Sequence, residues 1–244
     1  MREQERGAGH GQSVGALVLA AGRSQRMQGI DKTFAPILGE PLILHTLSAF
    51  LDCPDIERVV LVLPESSVEK ARALIEGRDG ADKVSVCAGG DRRQDSAAKG
   101  LAALGPCDWV AVHDGARPCL APDTLRTALA EARLHGSAVV AVPVTDTVKR
   151  ADPEGFISAT VPRDGLWAMQ TPQVFPFAVL RRAYREVSQD VTDDASMVER
   201  LGIKVRLVPG SPTNLKVTNP GDLKLAEMIL KARGAGTMAE ATPE

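Results

Sequence analysis

The sequence is poor in aromatic residues and carries no excess of either charge. Phe, Trp and Tyr together make up 3% of its 244 residues, so we do not expect the aromatic platform on which single-stranded bases stack. The 29 basic and 31 acidic side chains leave a formal net charge of −2. Binding of nucleic acid by bulk electrostatics requires a concentrated basic face, and we therefore predict a protein that does not bind nucleic acid.

The sequence also lacks the segments that target a chain to a membrane. No apolar run approaches the roughly 18 to 20 residues that cross a bilayer, and residues 1–13 are charged and glycine-rich, without the apolar core of a signal peptide. The four cysteines, Cys53, Cys87, Cys107 and Cys119, form no Cys-x-x-Cys pair, which argues against a zinc site. We predict a cytoplasmic protein without a membrane partner, whose reduced cysteines serve mainly as small apolar side chains.

Short apolar runs rich in β-branched residues alternate with amphipathic segments. The runs lie at 14–19, 58–63, 83–87, 109–114, 138–143 and 204–208, and the segments with helical spacing lie at 42–51, 66–76, 96–104 and 123–135, with one more near 223–233. Runs without polar alternation predict strands that are buried on both faces. Strands that alternate with helices predict an α/β fold, with a mostly parallel sheet and helices on both faces.

One segment interrupts this alternation. Residues 145–163 show no helical period, and the turn sequence Asp-Pro-Glu-Gly at 152–155 separates two short runs at 147–150 and 156–161, which predicts a hairpin. A hairpin of this size has too little core to be stable alone, so it must pack on the domain or on a partner chain. We predict a single domain over 14–233 that carries this β-arm, between a disordered tail at 1–13 and a loose tail at 234–244.

The loop after the first predicted strand has the residue types that bind a polyphosphate. Ala20, Ala21 and Gly22 are small enough for backbone N–H groups to approach an anion, and Arg26 and Lys32 follow them. The loop lacks both the Gly-Lys-Ser/Thr ending of a P-loop and the spaced glycines of a dinucleotide-binding turn, which disfavours an oxidoreductase. From this loop alone, a phosphate site and a solvated surface loop are equally favoured.

Two further polar segments, at 89–96 and 112–118, also follow predicted strands. Ligands of an open α/β sheet bind beyond the carboxyl ends of its strands, so these segments and the first loop should face one crevice. Asp114 can hold a ribose hydroxyl or approach a metal there, although a turn or helix cap is the commoner role of such a residue. For His113 we favour a structural role over that of a base.

Seven motifs in order resemble those of the 2-C-methyl-D-erythritol 4-phosphate cytidylyltransferase family. They are AAGRSQRM with Lys32, AGGDRRQDS, VHDGARP, DTVKR, VPRDGLWAMQTPQ, TDDAS and NLKVTNPGDL, and they span about residues 14 to 230. The resemblance implies a Rossmann-like nucleotidyltransferase fold and a homodimer in which the β-arm clasps the second subunit. It also implies the reaction of CTP with methylerythritol 4-phosphate, with Mg²⁺, to give CDP-methylerythritol and pyrophosphate in the non-mevalonate pathway of isoprenoid biosynthesis.

The resemblance further implies roles for individual residues. The catalytic cations are Arg26 and Lys32 at the α-phosphate, and Arg163 and Lys216 at the attacking substrate, with Arg163 supplied by the arm of the other subunit. The residues implied for CTP binding are Ala20, Ala21, Gly22, Gly89, Gly90, Asp91, Ser96, Asp114 and Gly115. Arg117, Thr147 and Thr171 are implied for the acceptor, and no residue is assigned as a metal ligand.

Two alternatives share the predicted fold. Ribitol 5-phosphate cytidylyltransferase shares the CTP half, but Lys149-Arg150 and the run 165–167 look like the methylerythritol enzyme. A catalytically silent nucleotide-binding regulator is the second alternative, since a fold does not fix a function. The presence of all four implied cations disfavours it.

Overall fold

A seven-stranded sheet forms the centre of the chain in the computed structural model, which describes residues 12–22, 31–187 and 189–235. The strands are Val14–Leu19 (β1), Pro36–Ile37 (β2), Glu40–Pro41 (β3), Ile56–Leu63 (β4), Val84–Ala88 (β5), Trp109–Asp114 (β6), Ala138–Pro143 (β7), Val148–Ala151 (β8), Ile157–Val161 (β9), Trp167–Pro176 (β10) and Arg206–Pro209 (β11). The order in the large sheet is β11-β7-β10-β6-β1-β4-β5. Its pairings are parallel except for the two that β10 makes with β6 and β7, which confirms the mostly parallel sheet.

Helices cover both faces of this sheet. They are Leu42–Leu51 (α1), Val68–Ile75 (α2), Arg93–Leu104 (α3), Pro122–His135 (α4), Phe177–Glu186 (α5), Asp194–Glu199 (α6) and Pro220–Gly234 (α7). Alternate residues of β1 point to opposite faces, as the pleat requires. Ala16 and Val18 pack in one apolar cluster with α1, α2 and α4, whereas Leu17 packs in another with α3, α5 and α6. The predicted α/β architecture is confirmed.

The predicted hairpin is present as a separate two-stranded sheet. Strands β8 and β9 pair antiparallel, and the turn between them contains Gly155 at φ 91°. The Asp152 carboxylate accepts a hydrogen bond of 2.8 Å from the Phe156 backbone N–H, which closes the turn. Phe156 and Ile157 at its tip are 72% and 68% exposed, so the arm carries apolar surface that the described part of its own chain does not bury.

No predicted segment corresponds to strands β2, β3 and β10 or to helix α5. Strand β10 enters the sheet between β6 and β7, and helices α5 and α6 follow it. The strand escapes prediction because Gln170, Thr171 and Gln173 interrupt its apolar pattern although all three are buried. Their polar groups find partners in other segments, for example the Asn214 amide, which donates to the Thr171 carbonyl at 2.8 Å.

The ends of the domain differ slightly from the predicted boundaries. The Ser13 hydroxyl and backbone N–H both donate to the Asp108 carboxylate, at 2.9 and 2.8 Å, and the Trp109 indole donates to Gln12. At the other end, α7 extends to Gly234. The remainder of the predicted tails, residues 1–11 and 236–244, lies outside the described residues.

Within the parts of the chain that the structure describes, no helix combines the length and apolar character needed to span a membrane. All four cysteines are free thiols, of which Cys53 and Cys119 are buried.

Candidate active site

A crevice of about 450 Å³ opens at the carboxyl ends of β1, β5 and β6. It is lined by the residues predicted for the nucleotide and by several of their neighbours: Leu19, Ala20, Ala21, Gly22, Lys32, Thr33, Leu42, Pro64, Glu65, Gly89, Gly90, Asp91, Arg92, Arg93, Ser96, Asp114, Gly115, Ala116 and Lys216. The position follows from the parallel sheet, whose loops at this edge converge. We call this cavity the first crevice.

Glycines allow the loops of the first crevice to touch. A Cβ atom on Gly89 would lie 2.5 Å from the Cβ of Ala21 and 2.7 Å from the Ser96 hydroxyl. A Cβ atom on Gly115 would lie 2.8 Å from the Cβ of Ala20. These distances are too short for any side chain, so backbone packs directly against small residues and leaves main-chain groups at the crevice wall.

The loop after β5 is fixed by hydrogen bonds from α3. Ser96 accepts a hydrogen bond from the Gly90 backbone N–H at 3.0 Å and lies 3.1 Å from the Arg92 carbonyl. The Lys99 ammonium donates to the Gly89 carbonyl at 2.8 Å. Ser96 therefore shapes the loop at the base of the first crevice.

Three cations surround the Asp114 carboxylate at the end of β6. The Lys216 Nζ lies 2.8 Å from Asp114 Oδ2, the Arg117 Nε lies 3.6 Å from the same oxygen, and an Arg93 nitrogen lies 3.8 Å from Oδ1. Burial raises the pKa of Asp114, but the positive charges of Lys216, Arg93 and Arg117 outweigh burial and lower it to about 2. Asp114 is therefore ionised at neutral pH, and the group keeps an excess of positive charge that favours anions.

A second cavity of about 440 Å³ adjoins the first. Both cavities share Arg93, Asp114 and Lys216, which we call the shared wall. The second cavity is also lined by Arg117, Met169, Gln170, Thr171, Gln173, Thr192, Asp193, Ala195, Ser196 and Glu199. Two cavities separated by cationic side chains can bring two anionic groups together.

His113 supports the shared wall through hydrogen bonds of both its ring nitrogens. His113 Nε2 lies 3.2 Å from the Arg117 carbonyl, which can only accept, so Nε2 carries the proton of the neutral ring and donates. His113 Nδ1 then accepts from the Thr171 hydroxyl at 2.9 Å, and that hydroxyl accepts from the Asp114 backbone N–H at 3.1 Å. Burial lowers the pKa of His113 to about 4, so the ring is neutral and both its nitrogens are used structurally. This geometry supports the structural role over that of a base.

The structure does not place all the predicted residues in these cavities. Thr147 and Arg163 lie at the base of the arm and are exposed, and the Arg163 guanidinium donates to the Thr145 carbonyl. Neither residue is among the described residues that line the two cavities. Arg26 lies outside the described residues.

Arg93 of the shared wall and its partner Asp194 have no role predicted from the sequence. Arg93 lies within the motif AGGDRRQDS, but the neighbouring Arg92, which is more exposed and pairs with Asp95 and Asp190, looks identical in sequence. Asp194 belongs to the motif TDDAS, where Asp193 caps α6 by accepting from the Ser196 backbone N–H at 3.1 Å, a common role of Asp at a helix start. Only the fold shows that Asp194 points inward to Arg93.

The carboxylate side chains of the first crevice decide whether the protein alone can hold a divalent cation. Glu65, Asp91 and Asp114 line the first crevice, but the described residues contain no group of three His, Cys, Asp or Glu side chains that could hold a metal ion. Both oxygens of Asp114 face cations. The residues therefore do not fit a metal cage made of protein alone, whereas Mg²⁺ carried on phosphate oxygens needs few protein ligands.

Comparison with known proteins gives the family of this fold and site. The family model described as IspD, 2-C-methyl-D-erythritol 4-phosphate cytidylyltransferase, matches residues 14–232. The chain belongs to this cytidylyltransferase family. Proteins of that name from Dehalococcoides mccartyi (strain CBDB1) and Azoarcus sp. (strain BH72) are 45% and 48% identical to the chain, over 90% and 89% of it and 97% and 94% of their own lengths.

Solved structures agree with the family assignment. The 4-diphosphocytidyl-2C-methyl-D-erythritol synthase from Anaerococcus prevotii DSM 20548 superimposes with a TM-score of 0.79 at 26% identity, covering 90% of this chain and 99% of the other. The predicted cytidylyltransferase family, enzyme class and α/β nucleotidyltransferase fold are thus confirmed.

Proposed function

We propose that the chain transfers the cytidylyl group of CTP to 2-C-methyl-D-erythritol 4-phosphate, giving CDP-methylerythritol and pyrophosphate, in the non-mevalonate pathway to isoprenoid precursors. The observation that carries this proposal is the pair of adjoining cavities with Arg93, Asp114 and Lys216 between them. A nucleotide in the first crevice and an acceptor phosphate in the second cavity would meet at this wall.

The chemistry needs positioning more than proton transfer. A phosphate monoester has a second pKa near 6 and is mostly a dianion at pH 7, so its oxygen can attack without a general base. The new bond joins that oxygen to the α-phosphorus, while the bond from the α-phosphorus to the bridging oxygen of pyrophosphate breaks. The barrier is the approach of two anions and the charge that builds on the leaving group, which fixed cations lower.

Two of the cations beside Asp114, Lys216 and Arg117, suit the acceptor. Lys216 is held at Asp114 by one contact and its side chain is 43% exposed, so it can turn to a bound phosphate. Arg117 donates to the Asn214 carbonyl at 2.7 Å, and its buried Nε has no hydrogen-bond partner among the described residues. We assign Lys216 and Arg117, with Thr171, to the acceptor side.

The first crevice suits the nucleotide. We assign the loop 20–22 with Lys32 to the phosphates and Asp114 with Gly115 to the ribose. The residues assigned to the base are Gly89, Gly90, Asp91 and Ser96. Arg26 is assigned to the α-phosphate from its motif. Main-chain groups exposed beside Gly89 and Gly90 can read the edge of a pyrimidine, since glycines leave room for a flat ring there.

We further propose that Mg²⁺ enters on the triphosphate of CTP. The crevice offers no protein cage among the described residues, and Mg²⁺ is commonly held by substrate phosphates together with one or two carboxylates. When bound, the ion would neutralise phosphate charge and favour departure of pyrophosphate. We expect chelation of the metal to abolish turnover without unfolding the protein.

We propose that the enzyme is a cytoplasmic homodimer whose β-arm completes the partner's acceptor site. The supporting observations are that Arg163 and Thr147 lie outside the described lining of their own chain's cavities, and that Phe156 and Ile157 at the tip of the arm are largely exposed. A second copy would bury this apolar surface and receive Arg163. No nucleic-acid or membrane partner is proposed.

The function is tested by pyrophosphate release with CTP and Mg²⁺. We expect release with methylerythritol 4-phosphate and none with ribitol 5-phosphate. Release with ribitol 5-phosphate alone would keep the nucleotide site and overturn the acceptor assignment. Silence with both acceptors, while CTP still binds, would favour the regulatory alternative.

The shared active site is tested with a mixed dimer that carries Arg163→Ala in one subunit and Lys216→Ala in the other. One site then keeps both residues and the other has neither, so we expect one working site per dimer. Homodimers of each variant are the controls and should lose most of their activity. An inactive mixed dimer would show that Arg163 does not act across the interface.

A further inference from the structure

A chain of polar contacts connects helix α5 to the shared wall. The Tyr184 hydroxyl donates to Asp194 Oδ1. Arg93 donates to both oxygens of Asp194, at 2.9 and 2.7 Å, and one of these nitrogens lies 3.8 Å from Asp114 Oδ1. The other oxygen of Asp114 accepts from Lys216. Charges of opposite sign thus alternate from Asp194 to Lys216, a side chain assigned above to the acceptor.

The network of polar contacts is buried at Asp194 and held there by several hydrogen bonds. Asp194 is fully buried, and Gln173 accepts hydrogen bonds from the backbone N–H groups of Asp194 and Ala195 at 3.1 and 2.9 Å. A bidentate pair fixes the plane of a guanidinium as well as its position. Because buried ion pairs contribute little net stability compared with apolar packing, orientation of Arg93 is the better explanation for this arrangement.

The two cations beside Asp114 in this network, Arg93 and Lys216, differ in how firmly they are held. Arg93 is anchored by two hydrogen bonds to a buried carboxylate, whereas Lys216 is half-exposed and its contact with Asp114 is a single hydrogen bond. If Lys216 leaves Asp114 for a phosphate, the Asp114 carboxylate, with 12% of its side chain exposed, needs other positive charge nearby. Arg93 is on the opposite oxygen of that carboxylate and remains in place.

We propose that Arg93 is a positioning residue, which Asp194 and Tyr184 hold beside Asp114 so that Lys216 is free to bind the acceptor phosphate. This inference rests on the function proposed above. Without the charge of Arg93 near it, Asp114 pairs more strongly with Lys216, and the acceptor phosphate must compete for that ammonium. Loss of Arg93 at this position therefore weakens acceptor binding and leaves the nucleotide loops unchanged.

The first test is Arg93→Lys in the full-length enzyme, with KM measured separately for methylerythritol 4-phosphate and for CTP. A lysine is a compact charge that can pair with Asp194 but cannot span Asp194 and Asp114 at once. We expect the acceptor KM to rise about fivefold, which corresponds to about 1 kcal/mol, and the CTP KM to change by less than about twofold. If Arg93→Lys does not fold, the double variant Arg93→Gln with Asp194→Asn removes both charges together. It should likewise raise the acceptor KM and leave the CTP KM nearly unchanged.

A double-mutant cycle separates positioning from a general structural effect. In a Lys216→Ala background, Arg93→Lys should change the kcat/KM for the acceptor by less than about twofold, because its effect passes through Lys216. Arg182→Met is the control, since Arg182 lies on the exposed side of α5 and pairs with Glu186; both KM values should stay within about twofold of wild type.

The outcomes distinguish this inference from the proposed function. No turnover of methylerythritol 4-phosphate by the wild-type enzyme would refute the proposed function. Turnover by the wild type combined with an unchanged acceptor KM in Arg93→Lys would overturn the positioning role. An equal rise in both KM values, a fall in kcat alone, or independent effects of Arg93→Lys and Lys216→Ala would overturn it as well.

Discussion

His113 should make the stability of the domain depend on pH in a defined window. Its ring is fully buried, packs against Phe50 with 5.2 Å between ring centroids, and uses both nitrogens in hydrogen bonds to Thr171 and Arg117. A proton added to Nδ1 would remove the acceptor for the Thr171 hydroxyl and bury a charge beside Arg117. Burial accordingly lowers the pKa of His113 to about 4.

The direction and the size of this pH dependence follow from the pKa values of His113 in the unfolded and the folded chain. An unfolded histidine has a pKa of about 6.5, so as the pH falls the unfolded chain binds a proton before the folded chain does. The contribution of His113 to stability is fully present above about pH 6.5 and is lost progressively as the pH falls towards about 4. Between about pH 7.5 and pH 5 the loss is about 2 kcal/mol in the free energy of unfolding.

The assay is urea denaturation at both pH values, for the wild type and for His113→Asn. The decrease in the free energy of unfolding between the two pH values should be about 2 kcal/mol smaller in the variant. His135→Asn, which alters an exposed histidine at the end of α4, should keep the wild-type decrease. If His113→Asn does not fold, NMR titration of the wild-type ring gives the same answer. Titration of His113 near its unfolded value, or an unchanged decrease in the variant, would refute the reasoning.

Three further predictions concern the two cavities. Gly89→Ala would place a Cβ 2.5 Å from that of Ala21, so we expect the CTP KM to rise about tenfold or more, about 1.4 kcal/mol; Gly234→Ala, which meets nothing within 4 Å, is the control. Arg26→Ala should lower kcat by about 100-fold or more, the scale of a lost oxyanion donor, and a fall below about tenfold would contradict its assignment. Lys216→Ala should impair use of the acceptor while calorimetry still detects CTP binding, and normal turnover would remove Lys216 from the site.

The strands could be predicted wherever the residues buried in them are apolar. The predicted segments 14–19, 109–114 and 138–143 coincide with β1, β6 and β7, because a strand covered by helices on both sides needs an unbroken apolar run. Strand β10 lies beside two of them and is equally central, but Gln170, Thr171 and Gln173 fill three of its buried positions. Since their partners lie in distant segments, no local pattern could reveal that these polar residues belong to a strand.

The first crevice was predictable for a related reason. Loops that follow parallel strands share one edge of the sheet, so the segments 20–22, 89–96 and 112–118 were expected to converge, and they do. The pairing of Arg93 with Asp194, 101 residues apart, could not be deduced in this way. In sequence, Arg92 and Arg93 are equivalent basic residues beside a helix start, and only the position of Asp194 in the folded chain distinguishes them.

The division between fixed and movable cations around Asp114 suits the chemistry at the shared wall. Arg93 and Arg117 are held by Asp194 and by the Asn214 carbonyl, so little conformational entropy is lost when an anion arrives beside them. Lys216 has a single hydrogen bond to Asp114, and a lysine can follow a phosphate whose bonding changes from monoester to diphosphate. If every cation were fixed, the wall would fit one state of that phosphate only, and if every cation were mobile, each turnover would have to order them all. One movable ammonium beside two anchored guanidiniums avoids both costs.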